Sequence, residues 1–143
     1  MTEKEYRTHP AISRSSLFKI LDSPEKFRYE QEHPQEPTPA LRFGQAFHKM
    51  ALQPEEFWDE FAARPEMDRR TKAEWAAFTE QNAGKTILSD EELETIQSMC
   101  SSLRQNVFAS HLLQGAKEEP FFWTDELTGE ACKCRTDCRT ETG

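Results

Sequence analysis

The sequence predicts an α+β chain, a helical N-terminal portion followed by a β-hairpin that begins a mixed sheet. Three observations predict it. Ser and Thr caps stand ahead of apolar residues spaced three and four apart through the first two thirds of the chain. An aromatic segment, EPFFWT (119–124), is followed by DELTGE (125–130) and by an alternating stretch, 131–138, which is a strand–turn–strand pattern. A two-stranded hairpin is marginal by itself and normally belongs to a larger sheet, so the sheet is expected to be incomplete within these residues.

The elements follow in order. Ser13 caps a helix carrying Leu17, Phe18, Ile20 and Leu21. Ser23-Pro24-Glu25 restarts the chain, with Pro24 suited to the first helical position and Glu25 favourable to the helix dipole. That helix bears Phe27 and Tyr29 and ends near His33-Pro34; Pro34, Pro37 and Pro39 make an extended link. Thr38-Pro39 opens a third helix through Leu52, with Leu41, Gly44, His48, Ala51 and Leu52 forming one stripe. Pro54 breaks it, and Phe57, Trp58 and Phe61 follow in a short aromatic turn. A helix bearing Trp75 and Phe78 closes at Asn82-Ala83-Gly84, and residues 85–88 form an extended link. Ser89 and Glu92 make a capping box for a helix whose core face is Leu93, Ile96, Cys100, Leu103 and Val107. Residues 1–143 are thus expected to form a single partial domain, helical over about 9–113 and hairpin over 117–138.

Composition bounds the classes of function. Of the 143 residues 36% are hydrophobic and 31% charged, yet ten Phe and three Trp supply core anchors and argue against disorder. No apolar run approaches the ~18 residues of a membrane helix, and residues 1–6 have no signal-peptide pattern, so a cytoplasmic protein without membrane contact is expected. The net charge of −8 opposes non-specific DNA binding, but metal-dependent nucleases gather carboxylates at the site, so total charge does not exclude one. Cys100, Cys132, Cys134 and Cys138 offer a reading as a zinc or iron–sulfur site, against which C-x-C-x₃-C lacks the paired C-x₂-C spacing of structural zinc.

Three groups can carry chemistry. Gly44 and His48 are one helical turn apart, so a close backbone approach at Gly44 leaves room beside the imidazole; the bland alternative is a hydrogen-bonded core histidine. On the second hairpin strand, alternation puts Lys133, Arg135 and Asp137 on one face, where the carboxylate can bind a divalent cation beside basic residues; the bland alternative is an exposed charged face. Glu118 and Glu119 open the first hairpin strand, and one of them can approach Asp137.

In series, HPAISRSSLFKILDSPEKFRYE, PTPALRFGQAFHKMALQPEEF, DRRTKAEW and PFFWTDELTGEACKCRTD resemble the exonuclease VIII (RecE-like) family of the PD-(D/E)XK nuclease superfamily, in its RecB-like branch, from about His9 to Asp137. The resemblance implies an N-terminal half of an exodeoxyribonuclease that acts on linear double-stranded DNA with Mg²⁺ (or Mn²⁺). It places His48 on the family's Gly-x-x-x-His motif and Asp137 on the aspartate of its Arg-Pro-Asp segment, both as metal-site residues, with Thr136 where the proline stands. Glu118, or Glu119 beside it, matches the acid ahead of the Phe-Trp strand. Arg135 falls on the basic residue of that segment and, with Arg69, Arg70 and Lys72, is a candidate DNA contact. The family also implies a homo-oligomer. Family members continue into a strand with Asp-Leu-Lys-Thr or similar, whose lysine orients the attacking water; residues 138–143 have no such triplet. Weak or absent cation binding and no activity for this polypeptide alone are therefore expected. The alternative is a non-catalytic DNA- or protein-binding remnant of such a nuclease.

Overall fold

The computed structural model describes residue 1 and residues 3–33, 36–65 and 72–140, with the side chains of 3 and 4 left aside. It is a mixed α+β chain that divides into two compact units, Met1–Glu36 with Gly115–Gly143, and Pro37–Gln114. The N-terminal helices therefore group with the hairpin and not with the remaining helices.

In the first unit, α1 (Glu3–Thr8) precedes α2 (Arg14–Asp22) and α3 (Pro24–Glu32). The Ser13 side chain accepts from the Ser16 amide and that of Ser23 from the Lys26 amide, so both expected caps form. The α2–α3 pair is tied on its exposed side by Lys19 and Glu30 at 2.7 Å, and that hydrogen bond lowers the Glu30 pKa. The α1 helix was not anticipated: charged residues around a lone Tyr6 give no amphipathic signal, and its stability comes from docking on the hairpin.

That hairpin joins β3 (Ala116–Thr124) to β4 (Ala131–Arg139), antiparallel, with Ala116 opposite Arg139 and Thr124 opposite Ala131. Its turn is closed by the Asp125 amide donating to the Glu130 carbonyl at 2.9 Å, and by Thr128 donating to the Asp125 carboxylate from both its amide and its hydroxyl. Those bonds from Thr128 hold the Asp125 carboxyl below its ordinary pKa. Gly129 supplies the left-handed conformation of the turn at φ +74. On the other edge of β4, Ile12 makes a parallel bridge: its amide donates to the Ala131 carbonyl and its carbonyl accepts from the Lys133 amide, both at 2.8 Å.

In the second unit, Thr38 caps α4 (Pro39–Leu52), Pro54 starts a single 3₁₀ turn, and α5 (Phe57–Glu60) leads into β1 (Phe61–Ala63). After α6 (Lys72–Gln81), β2 (Thr86–Leu88) pairs parallel with β1, Phe61 opposite Thr86. β2 falls within the extended link expected over 85–88, and β1 follows the aromatic turn; that the two pair as strands is not visible in the pattern. Each is three residues long, too short for alternation to register, and they pair only across α6. The capping box forms: the Glu92 amide donates to Ser89 Oγ and the Ser89 amide to Glu92 Oε2, starting α7 (Asp90–Gln105).

Ala46, Ala51, Phe57, Phe61, Leu88, Ile96 and Cys100 form the buried core, with Phe43, Phe47, Met50, Leu93 and Leu103 packed against it. Two expectations shift here. The packed face of α4 keeps Ala51 and Leu52 of the expected stripe and adds Phe43, Ala46, Phe47 and Met50, while Leu41 is exposed. Val107 is 87% exposed because α7 ends at Gln105; Asn106 closes it and caps α8 (Val107–Leu112), accepting from the Ala109 amide. Lys49 binds Glu56 at 2.5 Å and Glu60 at 2.8 Å, fastening the turn and α5 to α4. Burial works against the charge of Lys49, but the two carboxylates outweigh it and raise its pKa.

Candidate metal centre

The hairpin places two candidate ligands directly opposite one another. The regular ladder pairs Lys117 with Cys138 and Glu119 with Thr136; between them Glu118 faces Asp137 without forming a ladder pair. The reason is local. Glu118 has φ +54, and among the described residues no other non-glycine residue has a positive φ. A bulky L-residue is disfavoured there, so the surroundings must hold it.

What holds it is visible. Arg135 Nε lies 2.8 Å from Glu118 Oε2, with side-chain exposures of only 20% and 10%. Carboxylate oxygens of Glu118 and Asp137 lie within 4.8 Å of each other. Two hard oxygen donors at that separation fit one divalent cation, whose ligand distances are about 2.0–2.6 Å. Glu119, the other candidate acid, is engaged elsewhere: its Oε2 meets Arg139 Nη2 at 2.7 Å and Nε at 2.8 Å.

Alternation puts Lys133 on one strand face with Arg135 and Asp137, and the bland alternative is that this face is exposed. Lys133 itself is 6% exposed. Its ammonium donates to the carbonyls of Tyr6 at 2.7 Å and His9 at 2.8 Å, with that of Arg7 at 3.5 Å. Carbonyls at a helix C-terminus favour a cation, and Lys133 supplies one there, in addition to the His9 amide that donates to the Tyr6 carbonyl at 3.4 Å. Burial pulls its pKa below the ordinary lysine value. The Tyr6 ring lies against both cations, 4.8 Å from Lys133 Nζ and 4.9 Å from Arg135 Cζ. Sequence spacing could not reveal this, because the partners of Lys133 lie at the opposite end of the chain.

The other expected residues are distributed as follows. His48 is half-buried on α4 of the second unit. A Cβ added at Gly44 would meet nothing within 4 Å among the described residues, so the expected close backbone approach there is not observed. Lys72 is exposed at the start of α6, whereas Arg69 and Arg70 lie outside the described residues. All four cysteines are free thiols, and among the described residues none joins a group of three potential metal ligands. Cys100 is a core residue whose burial raises its thiol pKa. No helix among the described residues is long and apolar enough to cross a membrane.

No curated protein matches the chain. The family profile described as a PDDEXK-like domain of unknown function (DUF3799) matches residues 13–143, a span that includes His48, Glu118 and Asp137. That match supports the PD-(D/E)XK superfamily and a nuclease-type fold, and the chain belongs to this PDDEXK-like family.

Proposed function

We propose that the chain is the metal-binding part of a nuclease of the exonuclease VIII type, which hydrolyses phosphodiester bonds in linear double-stranded DNA with Mg²⁺ or Mn²⁺. The observation that carries this reading is the facing pair Glu118 and Asp137 on the hairpin of a PDDEXK-like chain. Glu118 and Asp137 give hard oxygen donors to the cation. His48 is proposed as a third donor on the strength of its Gly-x-x-x-His motif and the family resemblance. When bound, the cation offsets charge on the scissile phosphate and acidifies an attacking water. Arg69, Arg70 and Lys72 are proposed to touch duplex phosphates, in which case affinity falls steeply as salt rises.

The 143 residues contain no Asp/Glu-x-Lys triplet. In the exonuclease VIII reading the lysine of that triplet orients the attacking water, so these residues by themselves are proposed to bind the cation weakly without cutting DNA. Calorimetry with Mn²⁺ on the purified chain tests the site: weak binding that disappears in Glu118→Gln and Asp137→Asn and falls in His48→Ala supports it. Binding unchanged in all three variants refutes it. Degradation of linear duplex by the purified chain would refute the requirement for the lysine strand.

A further inference from the structure

The Tyr6 ring faces two cations at once, and one of them holds a proposed metal ligand. Tyr6 cannot drift easily. Its own carbonyl accepts from Lys133, and Ile12 is hydrogen-bonded to both Ala131 and Lys133 on the edge of β4. Its ring also meets Phe122, centroids 6.3 Å apart, while His9 packs on the same Phe122 at 4.5 Å. An aromatic face so fixed attracts a guanidinium electrostatically and limits its orientations. Arg135 lies over that face, with Nε directed at Glu118.

We propose that Tyr6 is a positioning residue for the metal site: it fixes Arg135, and Arg135 fixes Glu118 in its strained backbone conformation opposite Asp137. This rests on Glu118 and Asp137 being the cation site. Arg135, which by sequence is a candidate DNA contact, then works inward through Glu118. A carboxylate has about four lone-pair sites, so an ion pair with a guanidinium and a bond to a cation are compatible on one carboxylate. The chain's first helix thereby sets the geometry of a ligand on its penultimate strand.

The test is made on the full 143-residue chain by NMR and Mn²⁺ calorimetry, comparing Tyr6→Phe with Tyr6→Leu. Phenylalanine keeps the ring, and leucine keeps apolar bulk without it. The Nε–H of Arg135, assigned by its disappearance in Arg135→Lys, exchanges slowly in the wild type and in Tyr6→Phe. In Tyr6→Leu its exchange accelerates by about tenfold, and Mn²⁺ binding weakens roughly tenfold, the lower end of outer-shell effects. Wild-type exchange and affinity in Tyr6→Leu would overturn the proposal. If the wild type binds no Mn²⁺, the metal reading of Glu118 and Asp137 fails, while Nε–H exchange still decides whether Tyr6 orders Arg135. If circular dichroism shows Tyr6→Leu unfolded, the wild type decides: a nuclear Overhauser effect from the Tyr6 ring to the Arg135 δ-methylene supports the proposal, and its absence overturns it.

Discussion

The ammonium of Lys133 donates to the carbonyl of His9 at 2.8 Å, so a side chain from the last strand closes the backbone that follows the first helix. A buried cation normally costs free energy, and here backbone carbonyls compensate it. Lys133→Met preserves length and apolar contact but removes the charged donor from those carbonyls. The expected loss is about 2 kcal/mol, the scale of hydrogen bonds to a charged group. Urea denaturation followed through hairpin or α1 signals measures it, and a variant as stable as the wild type would show the contact to be neutral.

The same residue predicts a pH dependence. Its folded pKa is lowered from the ordinary 10.5 by burial. Between the folded pKa and 10.5 the unfolded chain holds more protons at this site, so stability rises with pH across that window. The contribution is fully present above 10.5 and is lost as pH falls through the folded pKa. The stability advantage of wild type over Lys133→Met should therefore grow as the solution is made alkaline within that window. Paired denaturation curves at neutral and alkaline pH check the sign.

Glu118 yields a reversal of the usual glycine rule. At φ +54 any Cβ is strained, so Glu118→Gly should be more stable than Glu118→Ala by roughly 1 kcal/mol. Both variants lack the carboxylate and leave Arg135 without that ion pair, so their difference isolates the backbone term. Thermal melting of the two variants measures it. Equal stability, or a more stable alanine variant, would mean that the left-handed conformation is not kept in solution.

At the start of α7, Ser89→Ala removes one half of a reciprocal cap and should cost about 1 kcal/mol. Ser89 Oγ accepts from the Glu92 amide at 3.2 Å, while Glu92 Oε2 accepts from the Ser89 amide at 2.8 Å. Because α7 carries Ile96 and Cys100 of the core, the loss should appear in global unfolding of the Pro37–Gln114 unit and not only as local fraying.

Where the sequence was informative follows from the range of the interactions. Caps at Ser13, Ser23, Thr38 and Ser89 act over three residues, so sequence locates those helix starts. Asn106 was a readable signal of the same kind, but the apolar spacing through Val107 masked it. The β1–β2 pairing depends on contacts across α6. Burial of Lys133 depends on carbonyls at the chain's other end, so alternation assigns its face but not its burial. At the site, strand pairing put one of Glu118 and Glu119 within reach of Asp137. The proposal of Glu118 over Glu119 draws on its place opposite Asp137 and on Arg139 engaging Glu119, neither of which a pattern encodes.

Gly115 supplies the last prediction, at the open end of the hairpin. It has no need of a positive φ; what it needs is space. A Cβ there would stand 2.2 Å from the Arg139 carbonyl oxygen and 2.7 Å from its carbon, both backbone atoms of β4. Such a clash cannot be relieved by turning a side chain, so Gly115→Ala must push the start of β3 away from the end of β4. The expected cost is about 1–3 kcal/mol, the range for overpacking. Amide hydrogen exchange should place the damage at the Ala116–Arg139 end of the ladder, with the Thr124–Ala131 end next to the turn retained. Glu119 and Arg139 lie at the damaged end, so their ion pair should loosen in the same variant. Unchanged protection at Ala116 and Lys117 would show that β3 and β4 do not approach this closely in solution.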